Sequence, residues 1–399
     1  MSTARTTTTF APPVMEARRW LDGVIFPDSR PLINVSQAAP VDPPPPALRQ
    51  AIADTALNLP EAHLYGPDLG LPELRAELAR SVSKTYKGQV SADQVAITSG
   101  CNQAFCAAII SLCAEGDEVI LPTPWYFNHQ MWLDMQGVAT VPLACGDGML
   151  PDVAEAAAKI TDRTRAIVLV SPNNPCGVEY PADLIAAFRD LARDHDLALI
   201  IDETYRDFHA QTGAPHGLFE ESDWQSTVIQ LYSFSKSYRL TGHRVGAVVA
   251  SPARLAEMEK FIDTVTICPN QLAQHAALWG MQNLGDWLAG ERLEILDRRA
   301  AIEDGFGVLA TQGWKLLGCG AYFAYMEHPF AIASDALAKQ MVRDIGVLAL
   351  PGTMFMPKDD PAGARQLRIA FANVDRTGIA TLFQRLASLA DLAALRASA

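Results

Sequence analysis

The sequence predicts an α/β protein. A large domain carries a mostly parallel sheet flanked by helices, and a smaller α+β domain is formed by the C-terminus together with an N-terminal arm. Three observations lead there. From about residue 70, apolar strand-like runs alternate with amphipathic helical stretches. Each unusual polar cluster follows the carboxyl end of one of those runs. Beyond about residue 270 the texture changes to long helical stretches, then to a mixed region. The expected division is 1–45 for the arm, 46–285 for the large domain and 286–399 for the small C-terminal domain.

In chain order, Met1 to Thr9 is polar and has no apolar core, so it reads as a mobile tail or arm rather than a secretory signal. Pro43 to Pro46 form a stiff polyproline link from the arm to the main body. Gln94–Thr98 reads as a strand leading into Ser99-Gly-Cys-Asn102, and Glu118–Leu121 as one leading into Pro122-Thr-Pro-Trp-Tyr126. Ala166–Val170 leads into Ser171-Pro-Asn-Asn-Pro-Cys-Gly177, Leu197–Ile201 into Asp202-Glu-Thr-Tyr205, and Val228–Tyr232 into Ser233-Phe-Ser-Lys236. Open α/β sheets bind ligands beyond the carboxyl ends of their strands, where these clusters fall. Gln271 to about Leu309 is helix-rich, with turn breaks expected near Gly285 and Gly290. The small domain then holds Gly320–Tyr325, a Pro351-Gly352 turn, Leu367–Ala372 and a final helix from Thr377.

Composition narrows the function classes. The 399 residues provide ample core, with 49% hydrophobic and 19% charged residues, as in an ordinary globular enzyme. Forty-five acidic against 32 basic residues, net −13, with no basic stripe, argue against nucleic-acid binding. No apolar run approaches a membrane span. The seven cysteines show no Cys-x-x-Cys pair and no matched histidine spacing, so neither zinc nor a disulfide framework is expected; they read as reduced thiols of a cytoplasmic protein. No Gly-x-Gly-x-x-Gly follows an early strand, which leaves a dinucleotide-binding dehydrogenase without support.

Lys236 is the most informative residue. A lysine just past a buried strand, among small hydroxyl residues, is partly desolvated, and desolvation favours the neutral, nucleophilic amine. Such an amine suits a Schiff base to a carbonyl or to pyridoxal phosphate, although a plain loop lysine fits the local pattern too. Pyridoxal phosphate needs an acid near its ring nitrogen, and Asp202 stands at a strand end where a lone carboxylate is costly; a helix N-cap is the alternative. Its 3-oxygen needs donors, which Asn174 and Tyr205 provide, though Asn174 also suits a turn. Its phosphate needs amides, hydroxyls and a cation: Gly100, Cys101 and Asn102 at a helix start, Ser233, Ser235 and Arg244. Trp125 or Tyr126 can cover the ring face, and core packing explains either.

Taken together these residues resemble the pyridoxal-phosphate-dependent aminotransferases of fold type I, class I/II, from about Asn34 to Ala372. The most specific stretch is Ser233-Phe-Ser-Lys-Ser-Tyr-Arg-Leu-Thr-Gly-His-Arg-Val-Gly246, followed by Asn174-Pro-Cys-Gly177 and Asp202-Glu-Thr-Tyr205. The resemblance implies a large domain that holds the cofactor and a Lys236 that carries it as an aldimine and shuttles a proton. It also implies Asp202, Asn174 and Tyr205 around the ring, with Tyr126 rather than Trp125 stacked on it. Arg368, with Asn174 and the arm near Ala38, would bind the substrate carboxylate. Tyr65 would reach the phosphate of a partner subunit, making the protein a homodimer with shared sites.

Two departures stand out. Ala38 occupies a position that is usually glycine in the family, and Asp263 stands where dicarboxylate-specific members carry an arginine, which disfavours a second substrate carboxylate. The implied reaction is transfer of an amino group between an amino acid and a 2-oxo acid. A C–S lyase or another α-carbon reaction on the same scaffold is the alternative, and a non-catalytic binding protein is opposed by the intact Lys236, Asp202, Arg244 and Arg368. Trp125, Phe127 and Trp132 suggest a hydrophobic or aromatic substrate, or simply core.

Overall fold

A computed structural model describes residues 4–358 and 360–391. Its strands, in chain order, are β1 (Ile33–Asn34), β2 (Val95–Thr98), β3 (Glu118–Thr123), β4 (Ala139–Ala144), β5 (Thr164–Val170), β6 (Ala198–Asp202) and β7 (Val228–Ser233). They continue as β8 (Gly246–Val249), β9 (Lys315–Gly320), β10 (Phe323–Glu327), β11 (Val347–Leu348), β12 (Leu350–Pro351) and β13 (Gln366–Ala370).

The central sheet has seven strands in the order β2-β8-β7-β6-β5-β3-β4, and β8 alone runs against its neighbours. The five strands expected from sequence are β2, β3, β5, β6 and β7. They run the same way, so their carboxyl ends and polar clusters share one edge. Alternation sorts their side chains. Leu199 and Ile201 face a cluster that includes helices Pro72–Tyr86 and Ala182–Asp194, while Ala198 and Ile200 face one that includes Cys101–Leu112 and Pro252–Thr266. Burial on both faces explains why these strands read as continuous apolar runs. β4 carries Pro142 and is partly exposed, as suits an edge strand that need not donate a full ladder.

A second, antiparallel sheet has the order β12-β13-β10-β9 and places Tyr325 opposite Arg368. The arm joins this part of the molecule through β1, which pairs in parallel with β11 as Ile33 to Val347 and Asn34 to Leu348. A cluster containing Trp314, Phe323, Leu337, Ile369 and Leu382 packs helices Gly285–Gly305, Ser334–Ile345 and Arg376–Ser388 on the small sheet.

Local details differ from expectation. Gly290 lies inside helix Gly285–Gly305 and makes no break, since one glycine in an exposed helix costs only about 1 kcal/mol. Pro46 is the first residue of helix Pro46–Asn58, where its missing N–H is harmless. The segment from Ala4 is docked rather than loose: Thr9 Oγ1 donates to Asp134 Oδ2 at 2.7 Å.

Candidate active site

At the carboxyl edge of the central sheet, closed by the arm and β13, is a cavity of about 250 Å³. The sequence-predicted residues Ala38, Cys101, Asn102, Tyr126, Asn174 and Asp202 line it, and so do Tyr205, Ser233, Ser235, Lys236, Arg244 and Arg368. Gly100 stands just behind this wall. A Cβ built there would lie 2.3 Å from Arg244 Nη2, and its φ of +85° suits glycine, so the residue lets the Arg244 side chain and the helix start at Cys101 approach closely. Tyr65 is not brought in; it is 80% exposed on the surface. Asp263 is likewise outside the cavity, exposed on helix Pro252–Thr266.

Lys236 sits in the short helix Phe234–Ser237 immediately after β7. Its Nζ donates to the Ala38 carbonyl at 2.5 Å, so the arm lies directly over it. Burial, helped by the cations of Arg244 and Arg368, pulls its pKa down to about 7, where a large fraction is free amine near neutrality. Ser233 and Ser235 flank it on the same turn, and both are buried.

Asp202 ends β6. Its Oδ1 accepts from the Thr204 backbone N–H at 3.0 Å and from Thr204 Oγ1 at 2.7 Å, with Cys101 Sγ at 3.6 Å. Its Oδ2 meets His129 Nε2 at 3.2 Å. Burial alone would raise this carboxyl; the hydrogen bond and charge of His129 and the bonds from Thr204 outweigh it and hold the pKa below the ordinary value. A fixed carboxylate therefore faces the cavity. Burial, reinforced by the Asp202 charge, pushes the Cys101 thiol well up, so it stays a weak donor.

Arg368 on β13 is fully enclosed between Phe323 and Phe355, its guanidinium carbon 5.1 and 4.9 Å from their ring centres. Nη1 donates to Asn174 Oδ1 at 3.0 Å, Nη2 to the Ser36 carbonyl, and Nε has no protein partner. A buried cation with a free donor next to a cavity is suited to a carboxylate. Tyr205 is buried with its pKa raised by desolvation, so it remains a neutral phenol. The two aromatics after β3 are placed differently. Tyr126 enters the cavity wall, its hydroxyl donating to Asn102 Oδ1 at 3.2 Å, whereas Trp125 packs in the core beside Phe105 and Leu133. Trp132 is also away from the cavity, against Phe261, while Phe127 lines it.

His129 was not foreseen. It lies three residues after Tyr126 on helix Phe127–Gln136, stacked on Phe105 with ring centres 3.9 Å apart. A histidine between Asn128 and Gln130 on a helix gives no sign of a carboxylate partner more than seventy positions away. Val14, Gln37, Ala39, Asn128, Val170 and Thr204 complete the wall and were also missed, the first three because they come from the arm. Among the described residues no cluster of three or more His, Cys, Asp or Glu could hold a metal, and no helix is long and apolar enough to cross a membrane.

The fold and cavity define an α/β enzyme whose site combines a softened amine, a fixed carboxylate and a buried arginine. The chain belongs to the family "Aminotransferase class I and II", whose model matches residues 30–386. It is 30% identical over 346 residues to a valine–pyruvate aminotransferase of Mycobacterium tuberculosis, covering 86% of this chain and 87% of that one. It is 28% identical over 298 residues to an aromatic aminotransferase of Arabidopsis thaliana, 72% and 73% of the two chains. The solved aspartate aminotransferase from Thermus thermophilus with maleate shares the fold, with a TM-score of 0.86 at 23% identity over 98% of this chain and 99% of that one. The protein is therefore a transaminase, moving an amino group between an amino acid and an oxo acid.

Proposed function

We propose that pyridoxal 5′-phosphate is the cofactor and that Lys236 is its covalent anchor. The observation that carries this is the convergence on one cavity of four charges from three separate stretches: Asp202, Lys236 with Arg244, and Arg368. The donor set suits the group. Gly100 keeps open a cradle between a helix N-terminus and Arg244, with the Ser233 and Ser235 hydroxyls alongside, which fits a phosphate. The carboxylate of Asp202 fits a protonated ring nitrogen, Asn174 and Tyr205 fit the ring oxygen, and the Tyr126 ring fits a flat aromatic face. When bound, pyridoxal phosphate supplies an electron sink for charge released at the substrate α-carbon.

The chain's own groups account for the rest. Arg368, with Asn174 and the backbone near Ala38, holds the α-carboxylate and so fixes which α-bond faces Lys236. To do this Arg368 exchanges its bond to the Ser36 carbonyl for the substrate. Lys236, held near neutrality, then accepts the α-proton as a general base. Asp202, anionic throughout, keeps positive charge favourable opposite it. The same reading takes the enzyme as a homodimer, supported by a large exposed tyrosine, Tyr65, on the segment before helix Pro72–Tyr86. It takes the division 1–45, 46–285 and 286–399 as arm, cofactor domain and small domain, supported by the separate sheets, and a cytoplasmic setting, supported by the seven free cysteines.

Borohydride reduction of the purified protein followed by peptide mapping tests the proposal. The label is expected on Lys236, and Lys236→Ala is expected to abolish both label and turnover, a loss of at least ~10⁴-fold. Label on another lysine, or none, overturns it.

A further inference from the structure

The charged side chains lining the cavity are Asp202, Lys236, Arg244 and Arg368, and the reading above commits each of them. What remains of this chain's own lining for the substrate side chain is an uncharged wall of Val14, Gln37, Phe127 and Asn128. Gln37 stands out because its amide is oriented from behind. Arg18, exposed on helix Pro13–Arg19, donates from Nη2 to Gln37 Oε1 at 2.6 Å. A guanidinium has donors only, so it can be met by the amide oxygen and never by the amide nitrogen. The bond therefore favours the amide with Oε1 toward Arg18. Among the described residues Arg18 has no carboxylate partner to draw it away, and no hydrogen bond uses Gln37 Nε2. Gln37 thus offers an uncommitted N–H₂ at a half-buried place in the wall.

We propose that Gln37, oriented by Arg18, selects amino acids whose side chain ends in a neutral hydrogen-bond acceptor, the carboxamide class. This rests on the reading that Arg368 holds the α-carboxylate, which directs the side chain toward the rest of the wall. An apolar side chain leaves the donor of Gln37 unpaired, and a site built to hydrogen-bond discriminates against the analogue that cannot. A side-chain carboxylate meets the same donor but finds no uncommitted cation of this chain among the described residues that line the cavity. Arg18 is outside it and in water, where an ion pair is weak, so the cost of desolvating a second charge is not offset.

The test compares kcat/KM of the holoenzyme for L-glutamine, L-glutamate and L-norleucine, the last of similar length but without an acceptor. Glutamine is expected to exceed norleucine by about tenfold or more, the effect of one hydrogen bond, and to exceed glutamate. Gln37→Met is expected to bring the glutamine-to-norleucine ratio close to one. Arg18→Met, which frees the amide to rotate, is expected to lower it by a few-fold. Each ratio is read within one preparation, so a partly unfolded variant lowers both rates and the ratio is unaffected. Equal use of glutamine and norleucine, a preference for glutamate, or a ratio unchanged in Gln37→Met overturns the proposal and leaves the transaminase reading intact. Failure to transfer from any amino acid, together with no borohydride label on Lys236, overturns both.

Discussion

Asp202 and Glu203 are adjacent carboxylates with nearly identical local chemistry and opposite roles. Both are almost fully buried, at 3% and 1% exposure, and each meets a histidine Nε2 at 3.2 Å, His129 for Asp202 and His216 for Glu203. Each histidine stacks on an aromatic ring, Phe105 or Tyr86. Strand geometry sends them to opposite faces. Asp202 lines the cavity, while Glu203 is walled in by Tyr86, whose hydroxyl donates to Oε2 at 2.8 Å, and by Gln230. Burial, a histidine partner and a lowered pKa are therefore common to a site carboxylate and a structural one. Access to the cavity is what separates them.

Substitution at the two positions tests that contrast most strongly. Asp202→Asn is expected to cut turnover roughly 10²–10³-fold while the unfolding temperature hardly moves. Glu203→Gln is expected to do the reverse, losing about 3 kcal/mol of stability in chemical denaturation while the folded fraction keeps turnover within a few-fold. The sign with pH follows. His216, Gln230 and Arg206 outweigh burial and hold Glu203 down to about 2, against an ordinary 4.5. Its contribution is then fully present above 4.5 and is lost as pH falls toward 2. A Glu203→Gln protein whose acid unfolding matched the parent, or an Asp202→Asn protein that melted early, would dissolve the distinction.

Arg368 extends the comparison to a buried cation on the cavity side. Arg368→Ala is expected to raise KM for α-carboxylate substrates about 100-fold with a smaller change in kcat, in steady-state kinetics. A loss confined to kcat would place Arg368 with the supporting structure instead.

The smallest effect concerns Lys236 in the cofactor-free enzyme. Its folded pKa of about 7 lies below the ordinary 10.5, so between these values the unfolded chain binds a proton that the folded one does not. Stability should rise with pH across that window, by about 2 kcal/mol once the opening of the side chain to the cavity is allowed for. Lys236→Met should remove the slope. A parent protein with a flat profile from pH 7 to 10.5 would mean that the cavity solvates the ammonium as well as water does.

Much of this architecture could be read along the chain. The five parallel strands announce themselves as short apolar runs, and Asp202, Asn174 and Lys236 stand out because polar groups right after buried strands have few reasons to be there. β4 escaped notice because an edge strand is half solvated and loses the apolar signature. β8 escaped because Gly246–Val249 is short and its reversed direction depends on its neighbours, not on its residues. His129 was missed because its partner Asp202 is far away in sequence.

Residue order was thus enough for strand periodicity, for the amine after β7 and for the polar clusters at the strand ends, because each is a local matter of spacing and desolvation. Folding in three dimensions assigned the partners. It put His129 on Asp202 and His216 on Glu203, laid the arm across Lys236 and turned the Gln37 amide toward Arg18. Those outcomes depend on which groups the fold brings together, and for the buried pairs the low-dielectric interior lets a single hydrogen bond or charge set both orientation and pKa.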